Sequence, residues 1–131
     1  MTRAMKKTIL VVDDQPQVRR LMRGILDRDG YAVIEAEDES TAIDAVRRHQ
    51  HNVDLALVDI ELPGPNGRQV AGTLNRMGIV QTIFVTGLDP DALFADGRLE
   101  EGDPLLRKPF TVAGLSGAVK ATLKPAPQPL V

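Results

Sequence analysis

The sequence predicts an α/β fold: five strand-then-helix units in succession, forming a parallel sheet covered by helices on both faces. Two observations carry this. Five short apolar runs, at residues 9–12, 31–36, 55–59, 82–85 and 105–106, alternate with segments whose apolar residues recur at helical spacing. The chain of 131 residues, 43% of them hydrophobic, is long enough for one domain with a substantial core and too short for two.

The first run ends on Asp13 and Asp14, and Pro16 then suits the opening turn of a helix. Val18, Leu21, Met22, Ile25 and Leu26 form its apolar face, with Arg19, Arg20 and Arg23 opposite. After Gly30 comes the second strand, then a helix over 40–48 with Ala42, Ile43 and Val46 inward. His49 and His51 follow it and read as solvated side chains, since no third metal ligand accompanies them. The third run, LALVD, stops at Asp59 and leads through the turn residues Pro63 to Gly67 into a helix over 68–77. Val70, Ala71, Leu74 and Met77 are its buried stripe, and Gly78 ends it by taking the left-handed conformation.

The fourth run closes on Thr86 and Gly87. Beyond it Pro90 permits a helix that Gly97 and Gly102 keep short, so the segment 89–102 is expected to be the least stable. Leu105 and Leu106 close on Arg107, Lys108 and Pro109. Thr111 caps a fifth helix with Val112, Leu115, Val119 and Leu123 at core spacing. A domain over 6–124 is thus followed by a Pro-rich tail at 125–131, which can neither continue a helix nor supply an output domain.

Composition removes several functions. A net charge of −2 gives no electrostatic case for binding nucleic acid. Without cysteine there is no disulfide framework and no thiolate zinc site. The apolar run after the basic head MTRAMKK is too short for a signal peptide or a membrane span, which excludes a membrane role and places the chain in the cytoplasm.

In an open parallel sheet the chemistry sits outside the carboxyl ends of the strands. An aspartate there is commonly a turn residue or a helix cap, so Asp59 alone says little. Four strand ends together say more. LVVDDQP, LVDIELPGPNG, FVTG and LLRKPF, in that order and at strand-plus-helix intervals, resemble the receiver domain of two-component response regulators over nearly the whole chain. The resemblance implies the flavodoxin-like strand order 2-1-3-4-5, which sets the ends of the first and third strands side by side. It implies Asp59 as phosphoacceptor, Asp13 and Asp14 as the acidic metal pair, Thr86 as the switch hydroxyl and Lys108 as the conserved amine. It also implies a metal-ligating main-chain carbonyl at Glu61 and a cis bond before Pro109.

Those roles make chemical sense. Crowded carboxylates stay ionised together only around a cation, and hard oxygen donors without His or Cys favour Mg2+. A carboxylate nucleophile can form an aspartyl phosphate, with positioning and charge stabilisation carrying most of the catalysis. The expected function is a phosphorylation-dependent switch charged by a sensor histidine kinase or histidine phosphotransfer protein and read by a downstream protein. Kinase recognition is expected at the rim around Asp59, on Gln15, Pro16, Arg19, Met22 and Phe110. A turnover enzyme is not expected. The alternative of a haloacid-dehalogenase-like phosphatase needs D-x-D on the first core strand, whereas Asp59-Ile60-Glu61 stands on the third and lacks the second Asp. A degenerate receiver that only binds partners is disfavoured because every functional position is filled. Flavin binding is disfavoured because DDQPQ is no phosphate-cradling loop.

One departure from the family pattern is Leu105, where a Tyr or Phe is usual three residues before the lysine. Leucine has no ring to redirect, so the readout is expected to run through reordering of 89–102. Two new hydrogen bonds to the phosphoryl group, from Thr86 and Lys108, would supply about 3–6 kcal/mol. Inverting a two-state population takes about 5.5 kcal/mol.

Overall fold

The structure, a computed structural model, describes residues 6–123. The tail assigned to 125–131 lies outside them. Strands and helices alternate as β1 (Thr8–Val12), α1 (Pro16–Arg28), β2 (Ala32–Ala36), α2 (Glu39–Arg48), β3 (Leu55–Asp59), α3 (Gly67–Arg76), β4 (Thr82–Thr86), α4 (Pro90–Ala95), β5 (Leu105–Arg107) and α5 (Val112–Leu123). Every strand pair is parallel and the order is β2-β1-β3-β4-β5, as expected.

Strand side chains alternate between faces, and the sheet sorts them into two cores. Ile9, Val11, Leu55, Leu57, Ile83 and Val85 meet Met22, Ile25 and Leu26 of α1 and Leu115 and Val119 of α5. Leu10, Val12, Ala56 and Val58 meet Ala42, Ala45 and Val46 of α2 and Val70 and Leu74 of α3. All five residues of β3 are buried, so both faces of this central strand are covered. Each of its fully buried leucines contributes about 1.5–3 kcal/mol, and that packing fixes the position of Asp59.

Local signals set the helix ends. Pro16 stands at the first position of α1, and Gly30 and Gly78 take φ of 92° and 100° after α1 and α3. Asp38 and Asn66 each form a capping box, with Thr41 and Gln69 respectively. The Thr111 hydroxyl accepts the Gly114 N–H at 2.9 Å at the start of α5.

Two expectations about helix faces are corrected. Leu21 is 54% exposed while Met22 is 1% exposed. At 100° per residue, Leu21 lies about 85° from the middle of the stripe made by Val18, Met22, Ile25 and Leu26, at its edge and outside the core. Val112 is 52% exposed because it sits at the first turn of α5, ahead of the packed positions Leu115 and Val119.

The segment after β4 is short in helix, as expected, but better anchored than its composition suggests. Leu93 and Leu99 are buried with Ile60, Ala71 and Phe84 in a third apolar cluster, against which Leu105 packs. Arg68 of α3 pairs with Asp103 and stands 4.7 Å over the Phe84 ring. His49 and His51 hydrogen-bond separate main-chain carbonyls, of Ala45 and Met77, and among the described residues they share no metal-like cluster.

Candidate functional site

The strand order brings the polar strand ends into one crevice. β1 lies beside β3, with Val12 paired to Val58, so the chain places Asp13 and Asp59 next to each other. β4 follows β3 and β5 follows β4, with Thr86 paired to Arg107, which brings Lys108 to the same edge. The Lys108–Pro109 peptide is cis.

Carboxylate oxygens of Asp13, Asp14 and Asp59 lie within 4.8 Å of one another. Asp13 and Asp59 are 1% and 3% exposed, whereas Asp14 faces solvent. The Lys108 ammonium donates to Asp13 Oδ2 at 2.9 Å and to Asp59 Oδ2 at 3.2 Å. The other carboxylate oxygens of Asp13 and Asp59 are held by the chain's own amides. Gln15 N–H donates to Asp13 Oδ1 at 2.9 Å, and Glu61 N–H donates to Asp59 Oδ1 at 3.0 Å.

Burial pushes the Asp59 carboxyl above its ordinary value. The Glu61 N–H and the Lys108 charge pull it back, and the Asp13 charge adds to the rise. Mutual repulsion, the cause anticipated from the sequence, is therefore secondary to burial. Burial also pulls the Lys108 ammonium down, but its hydrogen bond to Asp13 and the charges of Asp59 and Asp13 outweigh this and hold it above its ordinary value. Within the cluster of Asp13, Asp14, Asp59 and Lys108, three carboxylates against one ammonium leave two formal negative charges. An oxygen-only donor set with that charge fits a hard divalent cation such as Mg2+.

Gly67 explains why the turn after Glu61 ends in glycine. A Cβ there would lie 2.6 Å from Ile60 Cα and 2.9 Å from the Asp59 carbonyl carbon, so α3 can press its first turn onto the end of β3 only without a side chain. Its φ is not positive, so the requirement is close approach.

Among the expected rim residues, Gln15 and Pro16 are exposed and Phe110 is half-buried against the α1–α5 core. Met22 is corrected: it points into that core and cannot present itself to a partner. Arg19 is corrected too. Its guanidinium turns inward, donating to the Asp13 carbonyl oxygen at 2.6 Å and to Glu35 Oε1 at 3.3 Å. Arg23 holds the other oxygen of Glu35 at 2.7 Å. Periodicity put Arg19 opposite the core, but a long side chain can lay its stem along the surface and reach a neighbouring strand end.

Sequence reasoning missed the Glu61 side chain, having used only its carbonyl. Glu61 Oε1 accepts the Thr86 hydroxyl, and it also accepts the Gly87 N–H at 3.1 Å. Thr86 is fully buried, and its oxygen in turn accepts the Leu88 N–H at 2.9 Å. The available signal was position: an acidic residue two places after a strand-end aspartate faces the same crevice.

The sequence and the fold match those of known proteins. A family model described as the response regulator receiver domain matches residues 9–120. The chain is 35% identical over 120 residues to the transcriptional regulatory protein ResD of Bacillus subtilis (strain 168), covering 92% of this chain and 49% of that protein. It is 33% identical over 122 residues to the response regulator GtcR of Aneurinibacillus migulanus, covering 93% and 50%. The chain thus spans about half the length of the curated relatives it matches. Among solved structures, a CheY-like response regulator receiver domain protein from Methanospirillum hungatei JF-1 superposes with a TM-score of 0.75 at 26% identity, covering 91% of this chain and 94% of that one. The signal receiver domain of the putative response regulator NarL from Mycobacterium tuberculosis gives 0.75 at 27% identity, covering 92% and 98%.

Proposed function

Because this chain belongs to the response regulator receiver family, we propose that it is a phosphorylation-dependent signalling switch whose phosphoacceptor is Asp59. Receiver domains are signalling domains and not turnover enzymes, so a single charging event at one side chain is the activity to explain. The observation that carries the assignment is the convergence of Asp13, Asp14 and Asp59, with Lys108 paired to Asp13 and Asp59, at the carboxyl edge of the sheet.

A carboxylate oxygen of Asp59 attacks the donor phosphorus, the bond from phosphorus to the donor breaks, and the leaving group departs with the bonding pair. With a phosphohistidine donor that bond is P–N; the ring leaves as neutral imidazole when its other nitrogen already carries a proton, and otherwise takes one from solvent as it departs. Asp13, Asp14, Asp59 and the Glu61 carbonyl would hold Mg2+, which when bound neutralises charge on the carboxylates and on the transferring group. Lys108 offers its ammonium to a phosphoryl oxygen, and its present bonds to Asp13 and Asp59 already aim it at the crevice. Thr86 offers its hydroxyl from the neighbouring strand end. The domain over 6–124 is the unit that carries this chemistry, and its donor is a histidine kinase or histidine phosphotransfer protein. Gln15, Pro16 and Phe110 form the part of the rim that such a donor would meet.

Incubation with Mg2+ and a radiolabelled small acyl phosphate tests the assignment. Labelling is expected in the parent chain and absent in Asp59→Ala. Labelling that survives the substitution overturns it.

A further inference from the structure

From the contacts of Glu61, we propose that its carboxylate is an internal competitor for the phosphoryl group: it occupies the Thr86 hydroxyl and the Gly87 amide and must leave them before an anion on Asp59 can use them. This rests on Asp59 being the acceptor. The geometry is specific. One oxygen, Oε1, takes both donors, and both belong to the end of β4, which lies directly beside the end of β3. Thr86 is fully buried, so its hydroxyl proton has no solvent alternative and is committed to Glu61.

The main chain and side chain of Glu61 act in opposite senses. Its N–H holds Asp59 Oδ1 at 3.0 Å, which fixes the acceptor in place. Its carboxylate, three bonds beyond the same Cα, withholds the neighbouring donors. A phosphoryl oxygen reaching Thr86 therefore exchanges one charge-assisted hydrogen bond for another, where the sequence alone suggested a wholly new one.

Removing one competing charge-assisted bond predicts about a tenfold gain or more in affinity for a bound anion at this site. The probe is beryllofluoride with Mg2+, titrated by NMR into the parent chain, Glu61→Ala, Glu61→Gln, Thr86→Ala and the double variant Glu61→Ala/Thr86→Ala. Glu61→Ala is expected to bind the mimic at least about tenfold more tightly and to shift the Gly87 amide resonance before any mimic is added. In the Thr86→Ala background most of that gain should vanish, because the contested hydroxyl is gone. A gain that is undiminished there, and equal in Glu61→Gln, would show simple charge repulsion and overturn the competition. Equal affinity in parent and Glu61→Ala would overturn it while leaving the acceptor assignment standing. Failure of the parent and of every variant to bind the mimic in the presence of Mg2+ would instead refute the acceptor assignment, and the competition with it.

Discussion

Replacing Gly67 with alanine tests how the acceptor is positioned. The new methyl would stand well inside 3.0 Å of the Asp59 carbonyl oxygen and 2.6 Å from Ile60 Cα, distances that Cβ atoms essentially never show. The strand cannot yield, because Ile60 is fully buried and its N–H donates to the Val85 carbonyl at 3.0 Å. Helix α3 must therefore retreat by about half an ångström, straining the Gly67 N–H bond to the Ile60 carbonyl, now 3.0 Å. Overpacking of this kind costs about 1–3 kcal/mol, and the helix propensity gained from alanine is below about 1 kcal/mol. Taking about 0.5 kcal/mol for that gain leaves a net loss of about 0.5–2.5 kcal/mol, which for a domain of this size lowers the melting temperature by roughly 2–12 °C. Gly24→Ala is the internal control: it lies exposed in the interior of α1 with nothing within 4 Å of the added carbon. That change should stabilise by about 0.5–1 kcal/mol. Thermal melts of both variants decide the matter. A Gly67→Ala protein as stable as the parent would refute the close-approach argument.

Three further outcomes are expected. Asp38→Ala should cost about 0.5–2 kcal/mol at neutral pH by removing the cap of α2. The Thr41 N–H holds the Asp38 carboxyl below its ordinary value of 3.8, so its stabilisation is complete above that value and is lost as pH falls through the lowered one; melts of parent and variant should converge there. Asp59→Asn should raise the melting temperature in chelator at neutral pH, because a carboxyl whose folded value is raised destabilises the fold when ionised; the gain should shrink as pH falls through that raised value, and a lower melting temperature at neutral pH would contradict it. Arg19→Ala should weaken Mg2+ binding about tenfold by calorimetry, since its guanidinium steadies the Asp13 main chain, with Arg19→Lys recovering only part of the loss.

Much of this architecture was legible in the sequence because it depends on short-range signals. Apolar runs ending in Asp13, Asp59, Thr86 and Lys108 mark strand ends, and a parallel sheet gathers strand ends at one edge whatever the helices do. Helix faces were less legible at their margins. Leu21 and Met22 are adjacent in sequence and about 100° apart around the helix, so periodicity takes both into one broad apolar face while the sheet and α5 cover Met22 alone. Long polar side chains were least legible. The contacts of Arg19 with Glu35, of Arg68 with Asp103 and of Glu61 with Thr86 join residues far apart in sequence through rotamers that no periodicity specifies. The anchoring of 89–102 was hidden for the same reason: Leu93 and Leu99 find a cluster assembled from three other elements.

The central chemical question is which side chain carries the phosphoryl group. After exposure to Mg2+ and a small acyl phosphate, borohydride reduction converts an aspartyl phosphate to homoserine, and peptide mass spectrometry then reads its position. Homoserine at residue 59, absent without donor, is the result predicted. Homoserine at residue 13 or 14, or at none of the three, would contradict it.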